Sequence, residues 1–152
     1  MKITDFLCDE AITLDLQAKD KKGAITELVE ILAKEKKFKD INKVVNAVME
    51  REKLGTTGIG QGIGIPHGRT DTISELTGAI GVSKGGVQFD ALDGEPVYIL
   101  FLLVSPNESA GHHLRALARV SRLFKDKFFR QALKDATTVG EFLKIIKQED
   151  EY

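Results

Sequence analysis

Cysteine is almost missing from this sequence: Cys8 is the only one in 152 residues. No internal disulfide can form, which excludes a disulfide-stapled scaffold and fits a reducing compartment. Nothing beside Cys8 marks an activating partner, so a nucleophilic thiol is not expected. An excess of charge of one sign is lacking too. The 22 basic and 23 acidic residues leave a formal net charge of -1, without the basic surplus of a general nucleic-acid binder. Long apolar runs are also absent. The opening Met1-Lys2-Ile3-Thr4-Asp5-Phe6 has no signal-peptide core, and Val97 to Val104 is too short to cross a bilayer. These absences lead to the expectation of a soluble cytoplasmic protein, with no nucleic-acid partner and no membrane insertion. No repeat, low-complexity block or Pro/Gly/Ser-rich linker divides the chain. With 42% hydrophobic residues it can bury a core, so one domain over residues 1–152 is expected.

What is present centres on Thr56 to Arg69, where Gly58, Gly60, Gly62 and Gly64 alternate before Ile65-Pro66-His67-Gly68. Glycine permits close backbone approach and positive φ. Pro66 fixes its own φ and biases Ile65 toward an extended conformation. The expectation is a histidine held at the end of a strand, with backbone N–H groups around it. A neutral imidazole there keeps a lone pair on one nitrogen and suits nucleophilic chemistry at neutral pH. The plain alternative is a turn or bulge carrying a structural histidine.

Around that stretch the pattern alternates helices and strands. Residues 3 to 16 carry short apolar pieces, read as strands or packed coil. Asp20 caps a helix whose stripe is Ile25, Leu28, Val29, Ile31 and Leu32, with Lys34 to Lys37 as its solvated end. Asp40 caps a second, with Ile41, Val44, Val45, Val48 and Met49 inward and Gly55 as its terminator. Arg51 falls at the edge of that stripe. It reads either as a surface residue favoured by the helix dipole or as a side chain reaching the glycine-rich site. Asp71 to Leu76 reads as a helical turn, Gly78 to Ser83 as a strand, Lys84-Gly85-Gly86 as a turn, then an extended piece around Val87 and Phe89. Asp93-Gly94-Glu95-Pro96 is a further turn. Val97 to Val104 is the clearest strand, apolar on both faces and so central and covered by helices. Gly111 to Phe124 reads as a helix with Leu114, Leu117, Ala118, Ser121 and Phe124 inward. Lys127 to Leu133 follows, with Phe128, Phe129 and Ala132 inward. Thr138 and Glu141 have capping-box spacing before a last helix with Phe142, Leu143, Ile145 and Ile146. The class is α/β.

Three histidines are available, His67, His112 and His113. The latter two open a helix that follows the central strand, so they can meet His67 at one end of the sheet. Neighbouring helical residues point about 100° apart, so at most one of them faces His67. That weakens a three-histidine zinc site, and no H-E-x-x-H spacing occurs. The glycines satisfy neither G-x-x-x-x-G-K-[ST] nor G-x-G-x-x-G, and no G-x-S-x-G elbow is present. No cofactor or metal is therefore expected. What remains is His67 as a covalent phosphoryl carrier. His113, at a helix N-terminus, can supply one donor and Arg51 a bidentate fork. As a first-turn residue, His113 is expected to lie off the core.

Five segments carry a resemblance: Glu50-Arg51-Glu52; Leu54 to Gly60; Gly64-Ile65-Pro66-His67-Gly68; Phe89 to Val97; and His113-Leu114 followed by Leu117-Ala118. Together they resemble the enzyme IIA component of the bacterial phosphoenolpyruvate-dependent phosphotransferase system. The match is to the fructose/mannitol class, which includes the nitrogen-regulatory subgroup, and it covers essentially the whole chain. The resemblance implies a single compact domain with a mixed central sheet flanked by helices. It implies that His67 is phosphorylated on Nε2, that His113 helps hold the phosphoryl group, and that Arg51 is the active-site arginine. His112 stands where the pattern demands no histidine and is left as a bystander. The implied donor is the phosphocarrier HPr or its nitrogen-branch counterpart. The implied acceptor is an enzyme IIB cysteine in sugar transport, or else the phosphorylation state tunes a regulated transporter or kinase. The freestanding chain and its opening residues lean to nitrogen regulation. A binding module that has lost phosphorylation is the third reading, and the pair His67 and His113 speaks against it.

Overall fold

In a computed structural model, which describes residues 1–151, the chain opens with a single 3-10 turn, Ile3–Asp5, and strand β1, Leu7–Thr13. The three helix caps read from the sequence, Asp20, Asp40 and Thr138, all form. The Asp20 carboxylate accepts from Gly23 N ahead of α1, Lys21–Lys36, and Asp40 accepts from Lys43 N ahead of α2, Ile41–Lys53. A glycine-rich hairpin follows, β2 (Gly58–Gly60) and β3 (Ile63–Gly64), then β4, His67–Arg69. Strands β5 (Thr77–Val87) and β6 (Val97–Ser105) complete the sheet. The C-terminal part holds α3 (Ala110–Leu123), α4 (Lys127–Asp135) and α5 (Val139–Asp150).

The sheet runs β1-β5-β6-β3-β2, with β4 also on β6. Pairing is mixed: β1 is parallel to β5, β5 antiparallel to β6, and both β3 and β4 parallel to β6. Ile63 pairs with Ile99 and His67 with Leu103, so β3 and β4 form one extended line along β6 in a single register. Pro66 sits in the break between them, where a missing N–H costs least. Its carbonyl still accepts from Leu103 N at 3.0 Å.

Strand β6 divides the core by its pleat. Ile99, Phe101 and Leu103 face Ala116, Val120, Phe129 and Phe142 of the C-terminal helices. Leu100, Leu102 and Val104 face Leu28, Val44 and Val48 of α1 and α2. The expected central strand buried on both faces is therefore present.

Four local expectations give way. Residues 71–76 form a turn and bend, not a helical turn; Thr70 Oγ1 takes the Thr72 N–H at 3.4 Å, a side-chain bond that competes with helix. The run Lys84-Gly85-Gly86 does not end a strand. Strand β5 continues through it, with the register shifting between Val82 and Val87. Gly86, at φ 89, lets the bulge form. On α3 the buried face is His113, Ala116, Val120 and Leu123, while Leu114 is 66% exposed. Of the expected stripe, Phe124 is buried and Leu117 packs against the core at its edge, while Leu114 and Ala118 face outward. On α4, Phe129 and Leu133 turn inward and Phe128 lies exposed.

Candidate functional site

Gly68 sets the distance between strand and helix. A Cβ placed on it would sit 3.1 Å from Ala47 C and Val48 N, so β4 lies directly on the backbone of α2. One turn beyond Ala47 on that helix is Arg51, which brings the guanidinium over the β4 end of the sheet. From the other side, α3 starts just after β6 ends and carries His113 to the same place. The result is an open cavity of about 530 Å³, with His67, Arg51, Arg69, Asn107 and His113 among its lining.

His67 is half-buried and is the first residue of the short strand β4. Its Nδ1 lies 2.8 Å from the Ile65 carbonyl. A carbonyl oxygen only accepts, so Nδ1 carries the proton and Nε2 keeps the lone pair. That carbonyl is itself held in place from behind. Ile65 N donates to Thr57 O at 3.0 Å. The Glu52 carboxylate takes the Thr57 N–H at 3.2 Å and the Thr57 hydroxyl, and pairs with Lys21 Nζ at 3.0 Å. Burial is the largest influence on the His67 ring and lowers its pKa; the Ile65 bond raises it, Arg51 lowers it and Glu52 raises it.

The His113 ring lies 5.4 Å from that of His67, centroid to centroid, and tilted. His112 points away, into a hollow with Met1, Phe6 and Leu76, as the helical spacing required. Contrary to expectation His113 is core-buried, at 5% exposure, because α3 lays its first turn against the end of β6. Its Nδ1 is 2.7 Å from Ser105 Oγ. Burial first, then the neighbouring His67 and Arg69 charges, lower its pKa to about 4. This ring is neutral at physiological pH.

Arg51 donates through Nη1 to Gly55 O at 2.8 Å, leaving further N–H groups for a ligand. The sequence reading missed Arg69 and Ser105. Arg69 is two residues beyond His67 on a strand, so it shares that side chain's face; the period of two could have flagged it. Its Nη1 is anchored on Asn107 O at 2.9 Å. Ser105 gave no local signal, since only packing of α3 brings its hydroxyl to His113. The glycine run does less than expected. Gly58 to Gly64 do not line the cavity; they build the β2–β3 hairpin, where Gly60, Gln61 and Gly62 all have positive φ (94, 61 and 77). The first turn of α3 borders the cavity through Ala110 and His113, and its N-cap Ser109 makes no side-chain capping bond.

The arrangement offers a neutral nucleophilic nitrogen, a neighbouring imidazole, two guanidinium groups and a helix N-terminus, all converging on one opening. Leu54, 84% exposed, and Leu114 flank it. Such a floor suits a dianionic group, and such a rim suits a protein surface.

Residues 5–149 match the family described as "Phosphoenolpyruvate-dependent sugar phosphotransferase system, EIIA 2". A fructose-specific EIIABC component of this phosphotransferase system from Bacillus subtilis is 36% identical over 150 residues, 99% of this chain; the chain spans 24% of that relative's length. A nitrogen regulatory protein of Bradyrhizobium diazoefficiens is 37% identical over 134 residues, covering 88% of this chain and 87% of the relative. The crystal structure of nitrogen regulatory protein IIA-Ntr from Neisseria meningitidis overlays with a TM-score of 0.87 at 35% identity, covering 95% of this chain and 98% of that one.

Proposed function

The chain belongs to the EIIA 2 family of the phosphoenolpyruvate-dependent sugar phosphotransferase system, and from that premise we propose that His67 carries the phosphoryl group, with His113 and Arg51 as its partners. The supporting observation is the Ile65 carbonyl on His67 Nδ1, which leaves the Nε2 lone pair facing a cationic cavity.

The donor in this reading is a phosphohistidine of HPr or its nitrogen-branch counterpart. His67 Nε2 attacks phosphorus, the donor's P–N bond breaks, and its electron pair returns to the donor ring. As Nε2 commits its lone pair, positive charge develops on the His67 ring. The Nδ1–H bond to Ile65 strengthens at that moment and stabilises the transition state. Arg51 supplies charge and N–H donors to the phosphoryl oxygens, and His113 supplies a neutral N–H. No nucleotide enters the exchange. In the second half a cysteine thiolate of an enzyme IIB attacks phosphorus and the Nε2–P bond breaks.

Two uses of the phosphorylated state follow. In sugar uptake it passes to enzyme IIB; in nitrogen regulation it alters how the exposed rim meets a transporter or kinase. Close overlay on the neisserial regulator over nearly the whole chain favours the regulatory use. Both run in the cytoplasm. Incubation with phosphorylated HPr is expected to label the protein, and His67→Ala is expected to abolish the label. Full labelling of that variant would overturn the assignment. Transfer onward to a panel of enzyme IIB domains then separates the two uses.

A further inference from the structure

Ser105 ends β6 with its side chain fully buried. Its Oγ lies 2.7 Å from His113 Nδ1, and among the described residues that nitrogen is the partner its hydroxyl has. A buried hydroxyl holds one proton that needs an acceptor. If Nδ1 carried the ring proton it would donate to Oγ, and the hydroxyl proton would be stranded. With the hydroxyl donating to Nδ1, both groups are satisfied. The ring proton then sits on Nε2, on the edge of the ring away from Ser105. His113 also lines the cavity and stands beside His67. The choice of nitrogen matters because the ring is neutral, and a neutral imidazole donates from one nitrogen alone.

We propose that Ser105 is a positioning residue that donates its hydroxyl hydrogen to His113 Nδ1 and so holds His113 as the Nε2–H tautomer, aimed at the phosphoryl group on His67. The last clause rests on the carrier reading above; the tautomer itself does not. No proton is transferred in this role, since Ser105 orients a donor and the donor binds phosphoryl oxygen.

The test is two-bond ¹⁵N–¹H NMR of the full chain labelled at histidine, at neutral pH, together with the rate of labelling by phosphorylated HPr. In the wild type, His113 should show a pyridine-like Nδ1 and a pyrrole-like Nε2. The reverse pattern overturns the proposal whatever the labelling result. Ser105→Ala should shift both nitrogens toward averaged values and slow labelling roughly 3- to 10-fold, the loss of about one hydrogen bond's worth of bias. Ser105→Thr, which keeps the hydroxyl, should restore both readouts, with the unchanged remainder of the spectrum reporting an intact fold. An unshifted tautomer in Ser105→Ala overturns the assignment, and a shifted tautomer with an unchanged rate overturns the role in transfer. Should the wild type show the expected tautomer but take no label, the carrier reading fails while the Ser105 contact stands.

Discussion

One carbonyl oxygen, that of Ile65, decides which His67 nitrogen is free, and one hydroxyl, that of Ser105, does the corresponding work on His113. Burial adds the protonation state. His113 is held near a pKa of about 4, below its ordinary 6.5, so between those values the unfolded chain binds a proton that the native chain excludes. Stability contributed by the neutral ring is whole above about 6.5 and is lost as pH falls toward about 4, at up to ~1.4 kcal/mol per pH unit. Urea denaturation across that window should show wild type losing more stability than His113→Gln. Equal slopes in the two proteins would place the ring outside the buried environment. At this scale the sequence singled out His67, His113 and Arg51 from short local patterns, and the fold brings all three to one cavity. It was silent on Ser105, whose role depends on a residue from another element.

Among elements, the three-residue strand β4 matters most, and it is too short to be stable alone. It exists because β6 offers a parallel partner and α2 closes over Gly68. A methyl at position 68 would press on the α2 backbone at 3.1 Å, where neither rigid element yields easily. Gly68→Ala should therefore move β4 off the helix. The expected cost is about 1–3 kcal/mol of stability, with labelling of His67 falling by more than roughly ten-fold as the ring leaves its geometry. Measuring both quantities separates the effects; unchanged labelling would mean that the strand has slack. Element ends were read well where a side chain caps them, as at Asp20, Asp40 and Thr138. They were read poorly where pairing overrides glycine, as in β5, whose Lys84-Gly85-Gly86 stays in the sheet as a bulge.

Across the whole molecule, the two ends of the chain meet at Asp150, a carboxylate 2% exposed. It accepts from Ile3 N and Thr4 N, each at 3.0 Å, and from Arg119 of α3, also at 3.0 Å. This clasp ties the N-terminal turn, α3 and α5 together, on the helix that also carries His113. Arg119→Ala would leave a buried carboxylate with its amide donors but without its cation. A loss of about 3 kcal/mol is expected in chemical denaturation, and a loss near zero would mean that the two amides suffice. Nothing in the sequence around Asp150 announced this, since its partners lie far away along the chain.

The sequence by itself determined the α/β class, the central strand and the helix caps. Each of these is written in residues that are neighbours in the chain, through hydrophobic period and capping chemistry. Only the tertiary structure decided that Arg69 and Ser105 belong to the site, that His113 is buried, and that Leu114 faces solvent. Those outcomes depend on which face of α3 meets the end of β6 and how closely α2 lies on β4, and such contacts are set by packing between segments distant in the chain.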